Sequence, residues 1–277
     1  MKQDCSVESY LRSPADRRFR IRIVRETDST SGELKREAGN GAPDGLVLIA
    51  DRQSRGVGRL ERPFFSPEGS GLYLSLLLRT PMPAQVLPSV TVSAAVAAAE
   101  AAEAVAGEFG EKLRIGIKWV NDLWLDGRKI CGILAESRLG QDGSADWTVL
   151  GIGMNLFPPA GGFPDWIRDT AGSLFPAEIP GIRNRIAGEL LNRLGNYLEK
   201  LPETCPMSSY RSRSILDGKR IRVAPVSREG ETIPALALGI GPDGGLAVRF
   251  EDGSETVLHA GEVTRIIREQ ENEEENR

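Results

Sequence analysis

Leu123-Trp124-Leu125-Asp126-Gly127-Arg128-Lys129-Ile130-Cys131-Gly132-Ile133-Leu134 is the stretch that decides the fold. Two apolar runs flank Asp126-Gly127, a pair that readily adopts the positive φ angles of a tight hairpin turn. Strands joined by so short a turn pair antiparallel.

Working outward, Leu113 to Trp119 and Trp147 to Met154 read as further strands, and Leu72 to Arg79 and Gly45 to Asp51 as strands too. Phe19 to Arg25 alternates in the period of a strand, and Asp28-Ser29-Thr30 then caps a helix that starts near Ser31. Pro83 to Gly107 predicts a long Ala-rich helix, Ile182 to Leu201 an amphipathic one, and Cys5 to Ser13 a short one with Val7, Tyr10 and Leu11 on one face. Helices and strands alternate without strict βαβ order, and hairpins join several strands. The expected fold is therefore α+β, a mixed and largely antiparallel sheet covered by helices. After Pro206 the texture changes to short strands, at Arg220 to Val226, Thr232 to Ile240, Leu246 to Phe250 and Ser254 to Leu258, broken by Asp-Gly turns. That pattern predicts a small β-barrel. The boundary is set near Ser214, giving domains at 1–213 and 214–268 and an acidic tail at 269–277.

Composition narrows the function. The chain has 277 residues, 40% apolar and 27% charged, with a net charge of −4. No overall basic field favours DNA or an anionic membrane. Cys5, Cys131 and Cys205 lie far apart, and His259 is the one histidine, so neither a dense disulfide framework nor a metal site is expected. The N-terminus has no apolar secretion segment. The most apolar run, Ser89 to Val105, carries Glu100 and Glu103 and reads as a core helix rather than a membrane span. A reduced, soluble, cytoplasmic protein is expected.

Three segments carry chemistry. Gln53-Ser54-Arg55-Gly56-Val57-Gly58-Arg59-Leu60-Glu61-Arg62 follows a buried strand. Its glycines allow close approach of a ligand to the backbone, and its arginines bring charge to phosphate or carboxylate; an ordinary exposed loop with solvated arginines fits the same residues. Lys118-Trp119-Val120-Asn121-Asp122 places charge in an apolar strand environment. There Lys118 can neutralise a carboxylate and a developing pentavalent phosphate, or simply pair with Asp122 at a strand end. Gly151-Ile152-Gly153-Met154-Asn155 again suits close ligand approach, or a bulge. No GxxxxGK[ST] or GxSxG sequence occurs. Gly239 to Gly244 matches GxGxxG formally, but it reads as a turn followed by a strand, which removes the dinucleotide reading.

In their order and spacing these segments resemble the biotin protein ligase family, and the resemblance runs from about Ser6 to Arg268. It includes Asp28-Ser29-Thr30, Ala50-Asp51-Arg52-Gln53, Phe65-Ser66-Pro67, Gly71-Leu72-Tyr73-Leu74-Ser75 and Lys129-Ile130-Cys131-Gly132-Ile133-Leu134 with Glu136. The resemblance implies a biotin/lipoate ligase-like catalytic domain with an SH3-like C-terminal barrel. The implied reaction has two steps. Biotin's carboxylate attacks the α-phosphate of MgATP to give biotinyl-AMP, and a lysine of a biotin carboxyl carrier protein then displaces AMP.

By that resemblance Ser29, Thr30, Gln53, Gly56 and Gly132 bind biotin, and Arg59, Arg62, Phe64, Lys118, Asn121, Lys129 and Asn155 hold the nucleotide or adenylate. Lys118 and Arg59 are the catalytic pair, and no protein-bound metal is implied beyond the Mg2+ that comes with ATP. A homodimer is a possible assembly. No operator binding is expected, since Ser29-Thr30 begins too early for the helix-turn-helix module of the family's DNA-binding members. The same fold leaves open a lipoate or octanoyl enzyme, or a biotin-binding protein without turnover. Where the family loop reads Gly-Arg-Gly-Arg-x-Gly-Arg, this chain has Val57 for an arginine and Glu61 for a glycine, and Ser31 stands where asparagine is usual. Arg55 is expected to supply part of the missing charge.

Overall fold

A computed structural model of the chain describes residues 6–11, 19–224 and 231–267. Cys5, the ends of the Cys5 to Ser13 helix, Val226, Arg268 and the 269–277 tail lie outside the described residues. By internal contacts the chain forms two compact units, Met1–Ile115 with Asn121–Cys205, and Gly116–Val120 with Pro206–Arg277.

In the first unit, Val7–Tyr10 forms a 3-10 turn in place of the expected helix, and it buries Val7 fully. β1 (Arg20–Thr27) leads into α1 (Thr30–Gly39), whose N-cap Ser29 accepts a hydrogen bond from Gly32 N at 3.2 Å. Such a cap contributes about 1 kcal/mol to helix stability. β2 (Leu46–Gln53) and β3 (Gly71–Leu78) follow, and every residue of β3 is buried. After a 3-10 turn at Ala84–Val86, α2 (Leu87–Glu108), rich in alanine, runs against the sheet. This helix is long and apolar enough to cross a membrane, but 72% of its most apolar window is buried within the protein. Its acids are consumed internally: Glu100 pairs with Arg193 at 2.9 Å and accepts from Tyr197 Oη at 3.0 Å, while Glu103 accepts from Ile115 N at 2.8 Å.

The chain then passes through β4 (Gly116–Lys118), which belongs to the second unit, and returns in β5 (Asp122–Leu125), β6 (Arg128–Leu139) and β7 (Ala145–Asn155). The expected Leu113 strand shortens to β4 because Ile115 N is taken by the Glu103 carboxylate. α3 (Ile182–Leu198) packs on α2 and on the N-terminal turn, where Asn192 Nδ2 donates to Tyr10 O at 2.9 Å.

The first unit's strands run in the order β1-β2-β3-β7-β6-β5. Only β1 with β2 is parallel; the remaining pairs are antiparallel, with β5 and β6 joined at the Asp126-Gly127 turn. The sheet is mixed and largely antiparallel, as the hairpin chemistry predicts.

The second unit holds β4, α4 (Met207–Ser212) and β8 (Arg220–Ala224), β9 (Ile233–Ile240), β10 (Leu246–Phe250), β11 (Glu255–Leu258) and β12 (Glu262–Ile266). Its sheet order is β11-β10-β9-β8-β12, all antiparallel, around Ile221, Val223, Ala237, Leu246 and Val248. A single boundary near Ser214 leaves Gly116–Val120 in the first domain, whereas by contact that segment groups with the second unit. The Gly239–Gly244 segment runs from the end of β9 into the β9–β10 turn, and His259 is exposed beside that turn, 2.8 Å from Asp243.

Candidate functional site

Gly151 and Gly153 are two residues apart on β7 and so face the same side of the sheet. Register sets a row across four strands, Tyr73 of β3, Gly153 of β7, Gly132 of β6 and Asp122 of β5. Two adjacent positions without Cβ atoms leave a shallow trough in that row. The ring of Phe64 lies over it: a Cβ at Gly153 would overlap the ring, and one at Gly132 would stand 3.3 Å from it. The ring meets Tyr73 edge-on, with centroids 6.5 Å apart. Burial pushes the Tyr73 phenol up to about 12, so it stays protonated and donates to Pro67 O at 3.0 Å. At the other end of the row Lys129 Nζ lies 2.7 Å from Asp122 Oδ1 and folds over Gly132.

Beside Gly151 a chain of hydroxyls reaches the start of α1. Ser75 Oγ donates to Thr30 Oγ1 at 2.8 Å, and Thr30 donates to Gln53 Oε1 through both its hydroxyl (3.0 Å) and its backbone N–H (2.8 Å). Each hydroxyl has one proton, so Ser31, 2.9 Å from Ser75, is the donor in that pair. Two donors on Oε1 fix the Gln53 amide, and its Nε2 then donates to Ser66 Oγ at 2.8 Å, which passes its own proton to Phe64 O at 3.0 Å. Three residues on from Gln53, a Cβ at Gly56 would overlap Phe64 O, so this position requires glycine. Asp28, which precedes the cap, is held down at about 2, chiefly by its hydrogen bonds with the Arg36 guanidinium.

The glycine-arginine segment folds back on itself. Phe64 N donates to Gly56 O and Gly58 N to Arg62 O, both at 2.8 Å, with Val57 bridged to Pro63. A 3-10 turn at Arg59–Glu61 forms the tip, and there Leu60 and Glu61 take φ angles of 54° and 55°. Arg59 Nη1 donates to Asn121 Oδ1 at 3.1 Å, and Asn121 Nδ2 donates to Ile133 O at 2.7 Å, which ties the tip to β6.

A cavity of about 910 Å³ opens here, near the upper end of the about 300–1,000 Å³ usual for small-molecule sites. Gln53, Gly56, Arg59 and Phe64 line it together, with Arg55 and Glu61. The guanidinium groups of Arg55 and Arg59 on its wall suit a ligand that carries an anion. The remaining expected residues are placed as follows. Ser29 and Thr30 are buried at the start of α1, and Gly132 lies under Phe64. Arg62 is exposed at the base of the tip and does not line the cavity. Asn155 Nδ2 donates to Gly172 O at 2.9 Å. Lys118 ends β4 in the second unit and is 9% exposed. The Asp122 carboxylate, one candidate partner of Lys118, takes Lys129.

Sequence reading missed Trp166, an exposed rim residue, and the Lys35–Glu136 pair at 2.8 Å on the cavity wall. Trp166 sits in a Pro- and Gly-rich stretch without periodicity, where only a lone exposed-type aromatic could have signalled it. Lys35 and Glu136 are far apart in sequence and meet only because α1 packs on the sheet that holds β6. Among the described residues, no group of three His, Cys, Asp or Glu side chains is placed to hold a metal ion.

Comparison with known proteins follows the same residues. The family model for the biotin/lipoate A/B protein ligase family matches residues 24–155. The biotin–[acetyl-CoA-carboxylase] ligase of Mycobacterium tuberculosis is 31% identical over 250 residues, covering 88% of each chain. The bifunctional ligase/repressor BirA of Bacillus spizizenii is 37% identical over 173 residues, covering 62% of this chain and 48% of that protein. The chain thus spans about half the length of that relative. Among solved structures, the biotin protein ligase from Aquifex aeolicus in complex with biotin and ATP superposes with a TM-score of 0.69 at 25% identity, covering 90% of this chain and 98% of that one.

Proposed function

The chain belongs to the biotin/lipoate A/B protein ligase family, among its biotin protein ligases, and on that premise we propose that it activates biotin with ATP and transfers it to a lysine of a carboxylase carrier domain. The observation that carries this reading is the single cavity lined by Gln53, Gly56, Arg59 and Phe64, four residues that the motifs nominate. Thr30 and the fixed amide of Gln53 offer the polar edge that a ureido ring needs, and the Gly132–Gly153 trough gives its flat body a floor once the Phe64 ring lifts off it.

In this reading Arg59 holds the biotin carboxylate against the α-phosphate, and Lys118, assigned by its motif, neutralises the charge that builds there. Carboxylate oxygen attacks phosphorus, pyrophosphate leaves, and the mixed anhydride persists as long as water is excluded. The uncharged ε-amine of the carrier lysine then attacks the acyl carbon and AMP departs. Mg2+ enters as the chelate of ATP's phosphates. Nothing here requires a protein nucleophile, and burial pushes the Cys131 thiol up, away from the reactive thiolate. The second unit is read as an SH3-like barrel, and the reaction is placed in the cytoplasm.

Incubation with biotin, MgATP and a biotin-carrier domain, followed by intact mass, should show one added biotinyl group. An unmodified carrier beside an active control ligase would refute the reading, and lipoate competing better than biotin would shift it to the lipoate branch.

Two departures from the family loop give further expectations. Glu61 sits at φ 55° and puts a carboxylate into the wall of a cavity meant for anions. Glu61→Gly should relieve about 1 kcal/mol of left-handed backbone cost, offset by about 0.5–1 kcal/mol of added chain entropy. Stability should therefore stay nearly level while the KM for ATP falls several-fold; an unchanged KM would clear Glu61 of opposing the nucleotide. Arg55 also lines the cavity, at an exposed position where its N–H is fixed on Asp28 O at 2.8 Å. Arg55→Ala should weaken biotin binding several-fold by isothermal titration, and unaltered affinity would remove Arg55 from the site.

A further inference from the structure

The short segment Gly116–Val120, which carries Lys118, is bound to the second unit by both neighbours of the lysine and by the residue beyond. Ile117 uses its whole backbone, its N–H donating to Arg213 O at 2.7 Å and its carbonyl accepting from Ile215 N at 3.1 Å. On the other side the Trp119 indole N–H donates to Gly244 O at 2.9 Å. One residue further, the Tyr210 hydroxyl donates to Val120 O at 2.8 Å. Gly116 packs so closely on Ile215 that a Cβ there would overlap it. Tyr210 is fully buried and Trp119 is 3% exposed.

The acceptor turn is itself braced. Gly241 N donates to Gly245 O at 2.8 Å, Gly244 N to Gly241 O at 3.1 Å, and Gly245 N to Asp243 Oδ1 at 3.0 Å. Gly244 has φ 83°, a conformation that suits glycine at this carbonyl. A three-residue strand cannot hold a lysine in one place by its own ladder. These four hydrogen bonds supply the constraint.

We propose that Tyr210 and the Gly241–Gly245 turn are positioning elements for the reaction, acting through Lys118 by fixing the backbone on either side of it. The inference rests on the ligase reading and on the role it gives Lys118. Misplacing a charge by an ångström costs up to about 100-fold in rate, so loss of one of four tethers should cost less.

The test is Tyr210→Phe, which keeps the ring and removes only the hydroxyl. Biotin-dependent pyrophosphate release should fall about tenfold in kcat, with the Kd for biotin within twofold of the parent. Trp119→Phe, which deletes the indole N–H, should act in the same direction and serves if Tyr210→Phe does not fold. Val248→Ala, a buried position of β10 remote in sequence from these contacts, should lower the melting temperature and leave kcat unchanged. Parent-level kcat in both tether variants overturns the proposal, as does a parallel loss of biotin affinity or an equal loss of kcat in Val248→Ala. Lys118→Gln separates the two levels. A parent-level rate in that variant overturns the role of Lys118 itself, whereas a slow Lys118→Gln beside fast tether variants overturns only the positioning.

Discussion

Lys118→Ala is expected to lower biotin-dependent pyrophosphate release by about 10²- to 10³-fold while the protein stays folded. Lys118 is 9% exposed, and a charge so placed is costly unless something offsets it. A cation that served only the fold would leave the melting temperature as its main readout. A cation that meets charge developing on phosphorus leaves kcat as the main readout, with the KM for biotin little changed. The backbone on either side of Lys118 is held by four hydrogen bonds, and the Asp122 carboxylate lies 2.7 Å from Lys129 Nζ. Stopped-time assays at saturating biotin and ATP, with thermal melts alongside, decide the matter. A melting temperature that drops while kcat holds would make Lys118 structural.

The parts legible in the sequence are those set by local chemistry. The Asp126-Gly127 turn announces its hairpin because few other pairs adopt those angles. Ser29 announces its helix because its hydroxyl has a specific N–H to meet. The trough was half legible: the glycines at 132, 151 and 153 stand out, but only register brings Gly132 opposite Gly153 and lays Phe64 over both. Elements held by distant residues stayed hidden. β12 buries Val263 alone among its non-polar positions and shows too weak an alternation to read, while α4 spans 6 residues, too few for a helical period. The grouping of Gly116–Val120 with residues beyond Pro206 is decided by the Arg213, Tyr210 and Gly244 carbonyl and hydroxyl partners, none of which is near in sequence.

Gly153→Val is expected to weaken biotin binding by about 100-fold, close to 3 kcal/mol. A Cβ at this position already overlaps the Phe64 ring, and valine adds two methyl groups above the trough. The fold can accommodate them, because Phe64 is only partly buried on a loop and can rotate away, whereas β7 and its partners β3 and β6 keep every backbone hydrogen bond. In the proposed reading the ligand's ring takes the place of Phe64 on the glycine floor between Tyr73 and the Lys129–Asp122 pair, where the valine methyl groups would obstruct it. The loss should therefore appear in the Kd for biotin, with the urea midpoint shifted by no more than overpacking allows, about 1–3 kcal/mol. Gly151→Val meets the Ser31 hydroxyl rather than Phe64, at the hydroxyl chain that orients Gln53. It should act on the polar edge of the same ligand, with a smaller effect. Titration calorimetry of both variants separates floor from edge, and undiminished affinity in Gly153→Val would mean that the ligand does not lie on the sheet at all.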